Sequence, residues 1–504
     1  MIKEDKILIG KSAAGAEAFI LPSMANRHGL ICGATGTGKT VTLKVMAEAF
    51  SELGVPVFLA DVKGDLAGCV KRGTRSDDLD ARLGKLGIDP ASFDYRAFPV
   101  SFWDVFGEGG HPVRTTVSEM GATLLSRLLG LSEVQTGVLT IVFRVADDHG
   151  WLLTDVKDLR AMVTYVTEHA PELLNKYGNV TRQSAGAIQR ALLQLEDAGG
   201  DTFFGEPAID LADWMRTDDN GRGYINVFHC EKLYQSPLLY STFMLWLLAE
   251  LFERLPEVGD LERPKLVFFF DEARLLFRNA PRALTEKVEQ MVKLIRSKGV
   301  GVYFITQQPS DIPNTILAQL GNRVEHALRA YTPVELKAVR AAAQSFRENP
   351  AFDTEATILA LGTGEALVSF LDEHGAPTMA EQVTILPPQS QMGALDDARR
   401  RAEIEADDLF GKYEKCVDTE SAYEVLSADR EAAEKAAEEK AEEKKAAQSA
   451  GKKTSSEKKT SSKAGKAAAS AVNRVTNSAL SSIGREFGRE ISRGIMNTIK
   501  KLFK

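Results

Sequence analysis

The sequence has few of the features that mark secreted, zinc-binding or membrane-spanning proteins. Its four cysteines (Cys32, Cys69, Cys230 and Cys416) are scattered over 504 residues without paired spacing. That pattern predicts neither a zinc site nor a disulfide framework and fits a reducing cytosol. The first residues, MIKEDKILIG, lack the apolar segment of a signal peptide. We therefore expect a cytoplasmic protein, or one bound peripherally at the inner face of the membrane.

Long apolar runs are also missing. In the longest one, residues 238–255, the apolar centre is too short to span a bilayer. The stretch therefore predicts a buried helix. The residues that interrupt it are Tyr240, Ser241, Thr242, Glu250, Glu253 and Arg254.

Positive charge is outnumbered by negative charge except near the end of the chain. The net charge is −8, but residues 431–504 hold 17 Lys and Arg against 9 Asp and Glu, a net charge of +8. The other residues together carry −16. So acidic a body does not indicate nucleic-acid binding by its bulk charge, although a ring could still present a basic pore built from a few residues.

A glycine-rich loop with the sequence GATGTGKT follows a short apolar strand, residues 28–32, and precedes a helical pattern over residues 41–50. In this context the glycines let backbone N–H groups point at phosphate oxygens, the lysine reaches the β and γ phosphates, and the last hydroxyl takes one position on Mg²⁺. The loop predicts an ATP site. The residues that would bind ATP are Gly33, Ala34, Thr35, Gly36, Thr37, Gly38, Lys39 and Thr40, and Thr40 would also bind the metal.

Two carboxylates follow an apolar run far downstream. Residues 265–270, KLVFFF, have the continuous apolar character of a central parallel strand, and Asp271 and Glu272 come directly after them. Asp271 at the strand tip is expected in the Mg²⁺ shell, and Glu272 is expected to polarise the attacking water. The alternative is a strand that ends in a solvated acidic turn. Together with the glycine loop, the order of the two acids favours ATP hydrolysis.

Strands alternate with helices along most of the chain, which predicts an α/β fold with a mainly parallel sheet. Further strands are expected at 55–60, 223–228, 300–306, 324–329 and 366–370, and residues 72–80 are interpreted as a charged loop. The predicted organisation is an N-terminal hairpin (1–27), a first half of the core (28–110), a helical insert (111–220), a second half (221–390), a C-terminal helical segment (391–430), a charged low-complexity linker (431–470) and a basic amphipathic helix (471–504).

The C-terminal tail has two parts with different expected behaviour. Residues 431–447 carry charges at helical spacing and predict a solvated or nascent helix, whereas the Lys/Ser/Thr-rich residues 451–466 predict disorder. Beyond them, apolar residues recur every three or four positions among Arg and Lys. Such a helix could pack on its own protein, dock on a protein partner or lie on an anionic membrane.

Several motifs in fixed order resemble one family. An Asn26-Arg27-His28 segment leads into the glycine loop, and DVKGDL follows the second strand. FFFDEA, ITQQPSDIP, LGNRVEHALRAYTP and LGTGEALVSF come next. Together they resemble the HerA/FtsK superfamily of P-loop ATPases, in particular the bacterial HerA-like proteins of the YjgR type, over about residues 8–426.

The resemblance implies a RecA-like P-loop core, a homo-oligomeric (hexameric) ring and ATP bound between subunits. It assigns Lys39 and Thr40 to phosphate and Mg²⁺, Asp271 to the metal shell and Glu272 to the catalytic base. It also places Gln307 where a polar residue senses the γ-phosphate or orients the water. Arg323 or Arg329 would supply an arginine finger to the neighbouring subunit, with an ordinary surface salt bridge as the alternative for each.

Two departures from the family pattern affect what the resemblance implies. Arg274 stands where related sequences often have histidine, which questions a role for this position in coupling hydrolysis to DNA. About 27 residues precede the first core strand, too few for the N-terminal β-barrel of archaeal members. We therefore expect the ring to form through the core, the helical insert or the tail.

Two functions remain open at this point. The first is an ATP-hydrolysing ring motor acting on double-stranded DNA, as a translocase or helicase. The second is an ATP-dependent scaffold or switch that remodels a protein partner or acts at a membrane surface, which the acidic body and the basic tail favour.

Overall fold

A single large sheet organises the computed structural model, which describes residues 1–277 and 282–453. Thirteen strands of this part of the chain belong to the sheet. They are β1 (Ile2–Lys3), β2 (Lys6–Lys11), β3 (Glu17–Ile20), β4 (Gly29–Cys32), β5 (Val57–Asp61), β6 (Val100–Asp104), β7 (His111–Pro112), β8 (Ile225–His229), β9 (Leu266–Phe270), β10 (Val300–Thr306), β11 (Asn322–His326), β12 (Glu365–Ser369) and β13 (Glu381–Ile385).

The strand order is β1-β2-β13-β12-β11-β4-β10-β9-β5-β8-β6-β7, and β3 pairs with β2. The strands from β11 to β7 pair in parallel, whereas the other side of the sheet is extended by antiparallel strands. One strand, β10, lies between the strand that precedes the glycine loop and the strand that precedes the two acids. This is the α/β arrangement with a mainly parallel sheet that the sequence predicts.

Sixteen helices occur in the described residues. They are α1 (Lys39–Glu52), α2 (Asp77–Lys85), α3 (Val117–Leu128), α4 (Glu133–His149), α5 (Val156–Glu168), α6 (Ala170–Tyr177), α7 (Arg182–Asp197), α8 (Gly200–Phe203), α9 (Pro237–Arg254), α10 (Arg274–Phe277), α11 (Arg282–Ile295), α12 (Asn314–Leu317), α13 (Pro333–Gln344), α14 (Thr354–Ala360), α15 (Asp397–Ala406) and α16 (Ala422–Lys453).

The central strands are buried on both faces, which explains their continuous apolar sequences. In β9, Leu266, Phe268 and Phe270 pack in one hydrophobic cluster with residues of α3–α5, α7–α9 and α11. Val267 and Phe269 pack in the opposite cluster with residues of α1. The apolar run at 238–255 forms the buried helix that its sequence predicts. In the described residues no helix is both long and apolar enough to cross a membrane.

The prediction of a charged loop over residues 72–80 is wrong in its second half, where α2 begins. Ser76 caps this helix by accepting a hydrogen bond from the Leu79 backbone N–H. Asp77, Asp78 and Asp80 lie in the first turn, where negative charge is favoured by the helix dipole. The acids that suggested a solvated loop are therefore those that favour the start of a helix.

The chain divides into a compact unit of residues Met1–Ala428 and a second unit that begins at Asp429. In the second unit, residues 431–442 are helical and exposed, which confirms the predicted solvated helix. The prediction of disorder over residues 451–466 is wrong for 451–453, which form the end of α16. The rest of that segment and the predicted amphipathic helix at 471–504 lie outside the described residues.

Glu325 is a charged residue type placed inside the sheet. It lies on β11 directly beside Cys32 of β4 and is 2% exposed. Its Oε1 atom has no hydrogen-bond partner among the described residues. Burial raises the pKa of Glu325 to about 8, against smaller opposite effects of Cys32, Arg323 and Lys39. The carboxyl group is therefore largely protonated at neutral pH in the folded protein.

We predict that Glu325→Gln stabilises the protein increasingly as pH rises from about 5 to 8. In this window the unfolded chain ionises Glu325 while the folded chain keeps it protonated, so the parent protein loses stability that the uncharged variant retains. With a pKa raised from 4.5 to about 8 on folding, the difference should reach on the order of 4 kcal/mol at pH 8. Thermal unfolding midpoints at several pH values measure it, with the exposed Glu420→Gln as control. A difference that does not change with pH would contradict the buried, protonated state.

Candidate active site

Parallel pairing brings the predicted site residues to the carboxyl edge of the sheet. Cys32, which ends β4, pairs with Thr306 at the end of β10. Phe270 at the end of β9 pairs with Phe304 of β10 and with Ala60 of β5. Residues that directly follow β4, β10, β9 and β5 therefore emerge side by side, although they are far apart in the chain.

The glycine loop leaves β4 and enters α1 through backbone conformations that favour glycine. Gly33 has a φ of 148° and Gly38 one of 121°. A Cβ atom on Gly33 would lie 2.5 Å from the His326 Cβ atom, so a side chain would collide with the neighbouring strand. Thr35 and Gly36 form the exposed tip. The N-terminus of α1 follows, and its dipole favours an anion at this position.

Lys39 folds back over the loop. Its ammonium group donates hydrogen bonds to the backbone carbonyls of Gly33, at 2.6 Å, and Ala34, at 3.0 Å. Burial lowers the pKa of Lys39, against the opposing effect of nearby groups that include Asp271 and Glu272. The ammonium group thus lies within the loop and in the electrostatic field of the two acids. This geometry fits a phosphate chain bound in the loop with Lys39 as its cation.

Two segments from the second half of the core support the loop. The Ala34 N–H donates to the Ala327 carbonyl at 2.9 Å, and the Gly364 N–H donates to the Thr37 carbonyl at 2.8 Å. Thr37 also closes the loop internally, because its hydroxyl donates to the Ala34 carbonyl at 2.7 Å. The conformation of the loop therefore depends on contacts formed when β11 pairs with β4 and β12 pairs with β11.

His326, to which the sequence analysis assigned no role, lies beneath the loop. Its Nδ1 atom is 2.8 Å from the Glu365 carbonyl oxygen, which only accepts, so Nδ1 carries the proton. Nε2, at 2.8 Å from the Thr42 hydroxyl, is therefore the acceptor. Burial lowers the pKa of His326 to about 4, so the ring stays neutral. It connects α1 to the end of β11. The signal in the sequence that could have identified His326 was a polar residue at the end of a strand.

Asp271 is buried at the tip of β9. Its Oδ1 atom accepts a hydrogen bond from the Glu272 N–H at 2.9 Å. Burial raises the pKa of Asp271 to about 6, partly opposed by the charge of Lys63. The Thr40 side chain is half-buried at the start of α1. A carboxylate and a hydroxyl are oxygen ligands of the kind that Mg²⁺ prefers. A bound cation would also offset the cost of keeping the buried Asp271 carboxylate charged.

Glu272 follows Asp271 in a left-handed backbone conformation with a φ of 49°. Its side chain is 7% exposed. The Oε1 atom is 3.2 Å from the Lys63 Nζ atom, and the Oε2 atom is 3.1 Å from the Arg274 Nε atom. Lys63 belongs to the DVKGDL motif after β5, and sequence reasoning assigned it no function. Its contact with Glu272 depends on β5 and β9 being neighbours.

Gln307 directly follows β10 and is half-buried, whereas Gln308 is exposed at the start of a short 3₁₀ turn. The Thr306 hydroxyl donates a hydrogen bond to the Asp311 carboxylate at 2.6 Å, and the Gln308 backbone N–H donates to the same carboxylate at 3.1 Å. Asp311 therefore fixes the backbone on both sides of Gln307. Because β10 lies between β4 and β9, this backbone lies between the glycine loop and the two acids.

The two arginines predicted as finger candidates have different surroundings. Arg323 lies within β11, and its guanidinium donates to the carbonyls of Leu320, Ser345 and Leu317 at 3.1 Å each. Arg329 lies three residues beyond the end of β11, on the carboxyl edge, and is exposed. Its one hydrogen bond among the described residues is a 3.5 Å contact with the Leu359 carbonyl.

Comparisons with known proteins identify the family of the chain. The family model "Helicase HerA-like C-terminal" matches residues 6–502. The DNA double-strand break repair helicase HerA of Sulfurisphaera tokodaii is 20% identical over 385 residues, which are 73% of this chain and 67% of that protein.

Two solved structures are similar at low identity. The bacterial conjugative coupling protein TrwBdeltaN70 is 17% identical with a TM-score of 0.48, and the match covers 78% of this chain and 91% of that chain. VirB4 of Thermoanaerobacter pseudethanolicus is 17% identical with a TM-score of 0.49, covering 76% of this chain and 97% of VirB4. Because the family model spans nearly the whole sequence, the chain belongs to the HerA-like C-terminal helicase family and is a P-loop ATPase.

Proposed function

We propose that the chain is an ATP-driven ring motor that acts on double-stranded DNA as a translocase or helicase. Its membership of the HerA-like family over residues 6–502 is the observation that carries this proposal. The name of its archaeal relative, a DNA double-strand break repair helicase, supports the choice of DNA. We further propose a homo-hexamer, because a motor that encloses DNA needs several subunits around one axis.

The proposed cofactors are ATP and Mg²⁺. The loop from Gly33 to Thr40 would hold the phosphates, with Lys39 moving from the Gly33 and Ala34 carbonyls onto the β and γ phosphates. Thr40 and Asp271 would hold Mg²⁺, which neutralises charge on the phosphates when bound. Glu272 would accept the proton of the attacking water, and Gln307 would orient that water.

Arg329 is the preferred arginine finger for the neighbouring subunit. Its exposed position on the carboxyl edge leaves its guanidinium available to another chain. Arg323 remains a candidate, but its three hydrogen bonds to backbone carbonyls of its own chain would have to break first. An arginine donated in trans would stabilise charge on the transferred phosphoryl group and link hydrolysis to ring assembly.

A second candidate function is an ATP-dependent scaffold or switch that remodels a protein partner or acts at an anionic membrane surface. The distribution of charge favours it, because residues 431–504 carry a net charge of +8 and the rest of the chain −16. The ATP site would be the same in both cases. The difference lies in the ligand that accelerates turnover.

Lys39→Ala and Glu272→Gln should impair hydrolysis in different ways. Lys39→Ala removes a phosphate contact and should weaken nucleotide binding and turnover together. Glu272→Gln should bind ATP normally but lose turnover by on the order of a hundredfold or more, because an amide cannot act as a base. Nucleotide titration and ATPase assays measure both effects, with the exposed Glu253→Gln as control. Parent-level turnover in Glu272→Gln would refute the assignment of the base.

Duplex DNA should accelerate ATP hydrolysis by the purified full-length chain if the motor function is correct. The measurement is the ATPase rate with duplex DNA, with single-stranded DNA and with vesicles of anionic phospholipid, together with the mass of the protein in solution. Stimulation by duplex DNA, with a mass of several subunits, supports the motor. Stimulation by the vesicles alone would support the second function and reject the first.

Mixing two inactive variants should restore activity if catalysis is shared between subunits. Arg329→Ala protein retains its glycine loop, and Lys39→Ala protein retains Arg329, so mixed rings contain some interfaces with a complete site. The ATPase rate of the mixture should exceed the mean of the two separate rates. The control mixes Lys39→Ala with Arg144→Ala, which changes an exposed arginine outside the site. Its ATPase rate shows the activity that a partner with an intact loop and an intact Arg329 provides. Full turnover by Arg329→Ala alone would contradict the proposed finger.

A further inference from the structure

Both carboxylate oxygens of Glu272 face a cation. Lys63 lies 3.2 Å from Oε1, and Arg274 lies 3.1 Å from Oε2. The side chain is otherwise nearly enclosed, at 7% exposure. A general base must bring a carboxylate oxygen within hydrogen-bond distance of the water that it deprotonates. In this conformation each of the two oxygens lies within ion-pair distance of a cation, although Oε2 accepts no hydrogen bond among the described residues.

The two cations come from two different elements. Lys63 is presented by the turn after β5, which Asp61 stabilises by accepting hydrogen bonds from the Gly64 N–H at 2.8 Å and the Leu66 N–H at 3.1 Å. Arg274 is the first residue of α10, on the other side of Glu272, and it also interacts with the Tyr234 hydroxyl. The Lys63 contact therefore forms only when β5 and β9 meet in the folded chain, whereas the Arg274 contact is local in the sequence.

The backbone at Glu272 supports this arrangement. The chain leaves β9 through the positive φ of Glu272, and the Ala273 N–H donates to the Ile305 carbonyl of β10 at 2.9 Å. A non-glycine residue with positive φ is strained, and such residues persist where surrounding contacts hold them. The side chain of Glu272 is thus directed to its position between the two cations by a locally fixed backbone.

We propose that Lys63 and Arg274 form a clamp on Glu272 that restrains basal ATP hydrolysis until the clamp opens. This inference rests on the proposed role of Glu272 as the base. Lys63 and Arg274 are positioning residues, because they act through Glu272.

The test compares substitutions that differ in charge and preserve length. Lys63→Gln removes one cation of the clamp, whereas Lys63→Arg keeps it. Arg274→Gln removes the other cation. Lys176→Gln is the matched control, since it breaks a surface ion pair with Asp148, 2.6 Å long, in the helical region. Each full-length variant is assayed for kcat and KM without DNA, for affinity towards a fluorescent ATP analogue and for its thermal unfolding midpoint.

Lys63→Gln and Arg274→Gln should each raise basal kcat about two- to fivefold with unchanged KM, the range expected for breaking a partly exposed ion pair. The double variant should exceed either single variant. Lys63→Arg and Lys176→Gln should remain at the parent rate. The increase should vanish when Lys63→Gln is combined with Glu272→Gln, because the released group would no longer be a base.

The clamp is refuted if Lys63→Gln and Arg274→Gln bind the analogue and melt like the parent, yet show kcat at or below the parent value. It is also refuted if the increase survives in the Glu272→Gln background. A different result separates this inference from the proposed function. Parent-level turnover by Glu272→Gln alone would refute the role of Glu272 as the base, and the clamp would fail with it. If Glu272→Gln stalls while both cation variants stay at the parent rate, only the clamp fails.

Discussion

Parallel pairing of β11, β4, β10, β9 and β5 is the constraint on which the rest of the structure depends. These strands are buried on both faces, so their polar residues are concentrated where the strands end. The register aligns Cys32 with Thr306 and Ala60 with Phe270, and the residues that follow come together at one edge. The phosphate loop, the two acids and the DVKGDL turn meet there because the core fixes the strand ends.

The parts of the site that could be predicted from sequence are those whose chemistry is local. The glycine loop carries its backbone requirements in eight consecutive residues, and the two acids follow an unbroken apolar run. Both were therefore recognisable without knowledge of the fold. His326, Glu325 and Lys63 were not, because their importance comes from neighbours some 200 to 300 positions away, such as Thr42, Cys32 and Glu272. Lys63 lies in the DVKGDL motif, and Glu325 and His326 lie in LGNRVEHALRAYTP, but those motifs do not show which distant residues these side chains contact.

The choice between the two candidate arginine fingers could not be made from the sequence either. Arg323 and Arg329 have the same side chain and lie six positions apart, so composition could not rank them. The structure separates them by position, since one is within β11 and bonded to three carbonyls, and the other is exposed beyond its end. The wrong prediction at the start of α2 has a different cause. Its signal, Ser76 followed by acids, was present in the sequence but was interpreted as a solvated loop.

The charged residues of the site lie close enough together to influence one another's pKa values. Asp61, Asp271 and Glu272 bring three carboxylates to neighbouring strand ends, and burial raises the pKa of Asp61 to about 7 and that of Asp271 to about 6. Lys39 and Lys63 are the lysines that lie in the field of these acids. Gathering so many acids is unfavourable unless cations balance them. The same clustering makes the site sensitive to any further cation or phosphate that enters it, which is the property an ATP-driven switch requires.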